Sequence, residues 1–96
     1  MRLKSKTALV TGAGGGLGGA TARRFAAEGA AVLCSDLNLA QAEKTVADIN
    51  SAGATAIAFE CDVTDANQCK AQVAETIKQF GHIDILVNSA GVSLHK

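Results

Sequence analysis

The sequence predicts an α/β fold, a Rossmann-like, doubly wound parallel sheet of four strands in the order 3-2-1-4 with three helices. Three observations support this prediction. Short apolar runs alternate with segments of helical periodicity, the runs are nearly continuous in hydrophobicity, and a glycine-rich turn follows the first run. The 96 residues suffice for one small domain, which we place at residues 1–96.

Four apolar runs are the predicted strands, at residues 8–10, 31–34, 54–59 and 83–87. Helices are predicted over residues 16–28, 39–52 and 66–80, and each ends at a glycine, namely Gly29, Gly53 or Gly81. The expected N-caps are Asp36 or Asn38 for the second helix and Thr64 for the third. The residues spaced to face the core are Leu17, Thr21 and Phe25, then Leu39, Ala42, Val46 and Ile49, and then Cys69, Val73, Ile77 and Phe80.

Right-handed crossovers place the first two helices on one face of such a sheet and the third helix alone on the other. One helix is about 10 Å wide, whereas four strands span roughly 19 Å. Part of one face is therefore expected to lack a cover, and the fourth strand to leave an apolar edge unpaired. We expect a longer form of the chain, or a partner such as a second copy in a homo-oligomer, to cover this surface.

Charge and hydropathy argue against several classes of protein. The 9 Lys and Arg residues balance 9 Asp and Glu residues, so no basic excess indicates a nucleic-acid partner. No apolar run approaches the ~18 residues of a membrane span, and the basic N-terminus lacks the apolar segment of a signal peptide. The spacing of Cys34, Cys61 and Cys69 matches no metal or redox motif, and His82 and His95 are isolated. We therefore expect a cytoplasmic protein with reduced thiols and no metal site.

The glycine-rich turn lies between the first strand and the first helix. Glycines there let the backbone approach a pyrophosphate, and the helix N-terminus offers free N–H groups. Two registers fit, Gly-x-Gly-x-x-Gly at Gly14, Gly16 and Gly19, or Thr-Gly-x-x-x-Gly-x-Gly at Thr11, Gly12, Gly16 and Gly18. We favour the second, because Gly12 directly follows the strand and Leu17 then stays on the buried stripe. No Lys follows the glycines, which excludes a Walker A loop.

Asp36 follows the second apolar run, near the distance from Gly12 at which a ribose-binding acid is expected. A carboxylate there accepts hydrogen bonds from the adenosine ribose hydroxyls and repels a 2′-phosphate, which favours NAD over NADP. None of Gly14, Gly15 and Leu37 carries a positive charge that would offset it. The competing interpretation is that Asp36 only caps the second helix.

With these residues the chain resembles the short-chain dehydrogenase/reductase family over about residues 4–92. The turn that begins at Thr11 resembles the family's cofactor loop, and Asp36 its NAD-selecting acid. The segment Cys-Asp-Val-Thr-Asp at residues 61–65 resembles the one in which an Asp contacts the adenine amino group and an apolar neighbour packs on the ring. This resemblance assigns those two roles to Asp62 and Val63.

Residues 85–91 resemble the family's Asn-Asn-Ala-Gly motif after the fourth strand. The resemblance implies that Asn88 braces the sheet and that the backbone of Ala90 and Gly91 lines the nicotinamide side of the cleft. Ser89 stands where the family has its second Asn, and its hydroxyl can still bond a ribose. The full set of implied cofactor-binding residues is Gly12, Gly14, Gly15, Gly16, Leu17, Gly18, Asp36, Leu37, Asp62, Val63, Asn88, Ser89, Ala90 and Gly91.

The resemblance also implies a catalytic Tyr in a Tyr-x-x-x-Lys pair, assisted by a Ser and a further Asn. The chain contains no Tyr, so we assign no catalytic residue. We interpret residues 1–96 as the N-terminal portion of a dinucleotide-binding domain, without the catalytic portion. It would belong to an oxidoreductase that transfers hydride between NAD(H) and an alcohol or ketone, a substrate bound only by a full-length form. The alternative is a non-catalytic module that binds NAD or another adenine nucleotide as a homo-oligomer.

Overall fold

Strands and helices alternate along the chain in the computed structural model, which describes residues 2–89. All strand pairs are parallel and the order across the sheet is β3-β2-β1-β4, which confirms the predicted fold class. The elements are β1 (Thr7–Thr11), α1 (Gly16–Ala27), β2 (Ala31–Asp36), α2 (Leu39–Ser51), β3 (Thr55–Glu60), α3 (Ala66–Phe80) and β4 (Ile85–Asn88).

The helix ends follow local sequence signals, with one exception. Gly29, Gly53 and Gly81 have φ angles of 104°, 89° and 90°, the left-handed conformation in which glycine ends a helix at little steric cost. Of the two predicted caps for α2, Asp36 and Asn38, it is Asn38 that caps the helix. The prediction of Thr64 as the cap of α3 is wrong, because Asp65 occupies that position and accepts from the two N–H groups that follow it. A carboxylate one residue closer to the helix reaches those N–H groups directly.

The face of the sheet covered by α1 and α2 holds the main core. Ala8, Val10, Val32 and Cys34 of the two central strands pack there against alanines of α1 and an isoleucine of α2. The prediction that Leu17 belongs to the buried stripe of α1 is wrong, since its side chain is 77% exposed. The buried residues of α1 are instead Gly18, Gly19, Ala22 and Ala26. The helix lies so close to the sheet that only small residues fit between them.

The opposite face carries α3, which buries Gln72 and Thr76. Leu9 and Leu33 alternate with the residues of the other face and are fully buried on this one. The prediction that Val73 and Ile77 face the core is wrong, because they are 39% and 47% exposed on the flank of α3. Leu86 of β4 is 64% exposed, so the β4 side of this face is open in the described part of the chain.

Paired hydrogen bonds fasten β4 to β1 at the amino end of the sheet. The Asp84 carboxylate accepts from the Thr7 N–H at 2.8 Å, and the Asp84 N–H donates to the Thr7 carbonyl at 2.9 Å. The first bond is the main reason that the pKa of Asp84 lies below its ordinary value of 3.8. His82 Nε2 lies 2.8 Å from the same carboxylate. Of the helices between residues 2 and 89, none has the length and apolar character needed to cross a membrane.

Candidate cofactor-binding site

The residues predicted to bind cofactor gather at the carboxyl edge of the sheet. Parallel strands bring the segments that follow β1, β2, β3 and β4 to one edge, where doubly wound folds bind their ligands. These segments carry the glycine turn, Asp36 with Leu37, Asp62 with Val63, and Asn88 with Ser89. Ala90 and Gly91, the remaining predicted residues, lie outside the described residues.

The N-terminus of α1 is the candidate anion-binding element of this edge. The N-cap position is Gly15, and no side chain caps the first turn. The first N–H groups of a helix have no partner within the helix and lie at the positive end of its dipole. Gly16 has a φ of 55°, and the space that its side chain would occupy is open. The turn therefore presents unblocked N–H donors around Gly16, Leu17 and Gly18.

The shape of the turn depends on Gly18. A Cβ atom there would lie 2.0 Å from the carbonyl oxygen of Gly12, a distance that no side chain can occupy. Gly12 has a φ of 66°, which turns the chain sharply at the end of β1. Gly12 and Gly18 belong to the register that we favour. The exposed Leu17 contributes nothing to that choice, because its side chain does not face the core.

Asp36 joins the glycine turn to the end of β2. Its Oδ2 accepts from the Gly14 N–H and its Oδ1 from the Asn38 N–H, each at 2.8 Å. A carboxylate has about four acceptor positions, so these two bonds leave capacity for two hydroxyl donors. The contacts do not support the interpretation that Asp36 caps α2, because Asn38 occupies the N-cap position and its Oδ1 accepts from the Gln41 N–H. Leu37, which follows Asp36 in the sequence, is 67% exposed.

Asp62 and Val63 lie in the loop between β3 and α3. Asp62 Oδ1 accepts from the hydroxyl of Thr64 at 2.7 Å and from its N–H at 2.9 Å. These two bonds hold the pKa of Asp62 below its ordinary value of 3.8, and the bond from the Thr64 hydroxyl has the larger effect. The Cys61 N–H donates to the Asp36 carbonyl at 3.1 Å, which fixes the start of this loop against the end of β2. The carboxylate is thus ionised and held in place.

Asn88 and Ser89 face the glycine turn from the end of β4. Asn88 Oδ1 accepts from the Thr11 hydroxyl at 2.9 Å, and the Ser89 hydroxyl donates to the Thr11 carbonyl. The Ser89 oxygen also lies 2.6 Å from the position of a Cβ on Gly18. The two side chains therefore connect β4 to the end of β1 and to the glycine turn, as the resemblance implied for Asn88.

Thr45 of α2 supports the turn and was missed by sequence reasoning. It is fully buried, and its hydroxyl donates to the Ala13 carbonyl at 2.8 Å. Because Thr45 lies between Ala42 and Ile49 on the buried face of α2, a polar residue within an apolar helical stripe was the available signal.

The largest described cavity lies away from this edge, and no metal site was found among the described residues. A cavity of about 530 Å³ opens between the C-terminal parts of α1 and α2, near Ala30 and Thr55 at the amino end of the strands. It is lined mostly by alanine and glycine, and ligands of parallel α/β sheets bind at the opposite end. Within residues 2–89, no group of three or more His, Cys, Asp or Glu side chains is placed to hold a metal.

Comparison with known proteins places this geometry in a family. The model of the short-chain dehydrogenase family matches residues 6–96. The chain belongs to this family. It is 47% identical over 90 residues to the short-chain reductase protein NovJ of Streptomyces niveus, covering 94% of this chain and 34% of that protein. It is also 47% identical over 92 residues to galactitol 2-dehydrogenase of Agrobacterium fabrum, covering 96% of this chain and 35% of that protein.

Solved structures of the family share this architecture. The hydroxysteroid dehydrogenase from Escherichia coli superposes with a TM-score of 0.90 at 41% identity, covering 91% of this chain and 37% of that one. The chain thus spans about a third of the length of the relatives it matches. Proteins of this family are oxidoreductases that bind nucleotide cofactors of the NAD(P) class. The uncapped N-terminus of α1 and the cradle between Gly12 and Gly18 fit the pyrophosphate of such a cofactor.

Proposed function

We propose that residues 1–96 are the N-terminal, NAD-binding portion of a dinucleotide-binding domain in a cytoplasmic oxidoreductase. The observation that carries the proposal is the junction of Asp36 with the glycine turn, at which the carboxylate bonds the Gly14 N–H at 2.8 Å. That bond sets the carboxylate beside the phosphate-binding turn, where an adenosine ribose would lie. The Asp36 charge repels a 2′-phosphate, so the chain prefers NAD over NADP.

Each part of the edge has a proposed role toward the cofactor. The N–H groups of Gly16, Leu17 and Gly18 bind the pyrophosphate, while Gly14 and Gly15 leave room for it. Asp36 bonds the ribose hydroxyls and Leu37 flanks the adenosine. Asp62 accepts from the adenine amino group, and Val63 packs on the ring. The remaining proposed residues line the nicotinamide end, namely Asn88, Ser89, Ala90 and Gly91.

When bound, the nicotinamide supplies or accepts a hydride. The residues of this chain bind and orient the cofactor, and none of them is a Tyr that would hold the substrate proton. We propose that a full-length protein, in which a Tyr-x-x-x-Lys pair follows residue 96, oxidises an alcohol to a ketone with NAD⁺ or reduces a ketone to an alcohol with NADH. Sequencing the reading frame beyond codon 96 tests this, since a stop codon there with no such pair would refute it.

Titration of the chain with NAD and with NADP tests the cofactor proposal. We expect NAD to bind more tightly, and Asp36→Asn to narrow the difference because it removes the charge while keeping an acceptor oxygen. We expect Asp36→Ala to weaken NAD binding by about tenfold to a hundredfold, the effect of losing charge-assisted hydrogen bonds. Glu43→Gln on the exposed side of α2 is the matched control for charge. Tighter binding of NADP by the unaltered chain would overturn the proposal.

A second candidate is a non-catalytic module that binds NAD or another adenine nucleotide as a homo-oligomer. One observation favours it, the exposure of Leu86 on the open part of the sheet within the described residues. Sedimentation equilibrium distinguishes the candidates. A stable dimer that Leu86→Lys dissociates while NAD still binds would support the module, and a monomer that binds NAD would support the first proposal.

A further inference from the structure

Two buried threonines, one in α2 and one in α3, make different hydrogen bonds. Thr45 in α2 and Thr76 in α3 are both fully buried. The Thr76 hydroxyl donates to the Gln72 carbonyl of its own helix at 2.7 Å, the ordinary bond of a threonine within a helix. The Thr45 hydroxyl instead lies 3.4 Å from the Gln41 carbonyl of its own helix and 2.8 Å from the Ala13 carbonyl of the glycine turn. Its shorter bond therefore leaves the helix and reaches the turn.

The Ala13 carbonyl depends on this bond. Ala13 is itself fully buried, so its carbonyl oxygen has no access to water. A Cβ atom on Gly19 would lie 3.3 Å from the same oxygen, which shows that α1 packs against the carbonyl as well. A buried carbonyl without a donor is costly, so the Thr45 hydroxyl stabilises the position of this oxygen.

The peptide group that joins Ala13 to Gly14 is held at both of its polar ends. Its carbonyl oxygen accepts from Thr45, and its N–H donates to Asp36 Oδ2 at 2.8 Å. The preceding N–H, that of Ala13, donates to the Ser35 carbonyl at 2.9 Å. Because the carbonyl and the N–H of a planar trans peptide point in opposite directions, a bond that orients one also orients the other. Thr45 and Asp36 therefore fix a single peptide from its two ends.

This peptide needs support from outside the turn because a glycine follows it. Rotation of a peptide next to a glycine meets little steric resistance, so an unsupported turn would populate several orientations. No residue with a side chain fits at Gly14, since a Cβ there would lie 2.7 Å from both Asp36 Oδ2 and Gln41 Cβ. Contacts from β2 and α2 must therefore select the conformation that the turn itself does not.

We propose that Thr45 is a positioning residue for the phosphate-binding turn. Its hydroxyl holds the Ala13–Gly14 peptide in the orientation that keeps the carbonyl oxygen inside the protein and leaves the N–H groups that follow it free for phosphate. A turn that spends only part of its time in the competent form binds its ligand more weakly, in proportion to that fraction. The effect on binding rests on the proposed function, whereas the orientation of the peptide does not.

Titration of Thr45 variants with NAD, ADP and adenosine tests the effect on binding. Thr45→Val keeps the shape of the side chain without its hydroxyl, and we expect NAD and ADP to bind about threefold to tenfold more weakly, the equivalent of one lost hydrogen bond. Thr45→Ser keeps a hydroxyl and should bind both ligands nearly as tightly as the unaltered chain. Adenosine has no phosphate, and Asn38 still holds Asp36 through Oδ1, so adenosine binding should change least.

Thr76→Val is the matched control, because it removes a buried hydroxyl of the same kind whose bond stays within α3. We expect its NAD affinity to equal that of the unaltered chain. Three results would overturn the proposal. They are equal losses of NAD affinity in Thr76→Val and Thr45→Val, a loss for adenosine as large as that for ADP, and unchanged NAD affinity in Thr45→Val.

Amide hydrogen exchange tests the orientation of the peptide without any ligand. In Thr45→Val we expect the Gly14 N–H to exchange faster relative to Leu33 in the central strand β2, because a rotating peptide breaks its bond to Asp36. In Thr45→Ser and Thr76→Val this ratio should equal that of the unaltered chain. An unchanged ratio in Thr45→Val would refute the positioning role.

The two measurements separate failure of this inference from failure of the proposed function. If the unaltered chain bound neither NAD nor ADP, the proposed function would be refuted, while the exchange of the Gly14 N–H would still decide whether Thr45 orients the peptide. Should Thr45→Val fail to fold, Thr45→Ala removes the same hydroxyl, favours the helix and takes its place in both measurements.

Discussion

The N-termini of α1 and α3 both lie at the carboxyl edge of the sheet, yet only α3 has a side chain that accepts from the free N–H groups of its first turn. At α3 the Asp65 carboxylate accepts from the N–H groups of Asn67 at 2.9 Å and Gln68 at 3.2 Å. At α1 the cap position is Gly15 and no side chain accepts from the first turn. A side-chain cap stabilises the first turn of a helix without a ligand, whereas an uncapped helix keeps its N–H groups and dipole for an anionic ligand. The difference supports our proposal that α1 is the phosphate-binding helix.

Removing the glycine on which the α1 turn closes should have the largest effect. Gly18→Ala places a Cβ where the Gly12 carbonyl lies at 2.0 Å, so we expect the free energy of unfolding to fall by about 3 kcal/mol and NAD binding to be lost. Urea denaturation and NAD titration measure the two effects. Gly15→Ala is the matched control for stability, since the nearest atom to its Cβ is 3.9 Å away and Ala brings no capping oxygen. Equal stability of the two variants would contradict the packing argument.

Giving α1 the cap that α3 has should separate stability from binding. Gly15 is extended, with a φ of 178°, so Asp fits there without strain. We expect Gly15→Asp to stabilise the chain by about 0.5–1 kcal/mol while weakening NAD binding about tenfold or more. Gly15→Asn caps without charge and should weaken NAD binding less. If Gly15→Asp bound NAD as well as the unaltered chain, α1 would not be the phosphate-binding helix.

Uncapping α3 should produce the converse result. We expect Asp65→Ala to lower the free energy of unfolding by about 1 kcal/mol, because the Asn67 and Gln68 N–H groups lose their acceptor. Thermal unfolding measures this loss. Asp65→Asn keeps an acceptor oxygen and should retain most of the stability. NAD affinity should change little in both variants, and a large loss in Asp65→Ala alone would show that α3 takes part in binding.

The smallest expected effect is on the stability of the chain at acidic pH, to which Asp62 contributes. The Thr64 hydroxyl and N–H lower the pKa of Asp62 in the folded state, so the unfolded chain binds more protons as the pH falls towards 3.8. The stability from Asp62 is therefore present above that pH and is lost as the pH falls through the lower folded pKa. We expect Asp62→Asn to flatten the acid side of a plot of melting temperature against pH. An unchanged slope would show that the Thr64 bonds do not persist in solution.

Local signals predicted most of the framework. The apolar runs and helix-ending glycines predicted the four strands and three helices to within two residues at every boundary, since these signals depend on the chain near each residue. Parallel topology then placed Asp36, Asp62 and Asn88 at one edge. The pairing of Asp36 with the Gly14 N–H and the burial of Thr45 under the turn were beyond local signals, because each joins residues distant in sequence.

The buried faces of the helices were the least predictable part. Leu17, Val73 and Ile77 have the spacing of core residues and are exposed, while Gln72 and Thr76 are buried. Helical periodicity identifies an apolar stripe but not the distance at which a neighbouring element packs against it. On α1 the buried positions next to the sheet are Gly and Ala, and on α3 the Val73 and Ile77 side chains remain exposed in the described part of the chain.

The sequence by itself determined the order of the elements, the parallel sheet and the glycine turn, because hydrophobic periodicity and glycine conformations act over a few residues. Only the tertiary structure decided that Asp65 closes α3 while α1 stays open, and that the Asp36 carboxylate accepts from the Gly14 N–H. These features depend on how the loops fold back on the strand ends. Spacing along the chain does not encode that geometry, since hydrogen bonds and close packing fix it only when the elements meet.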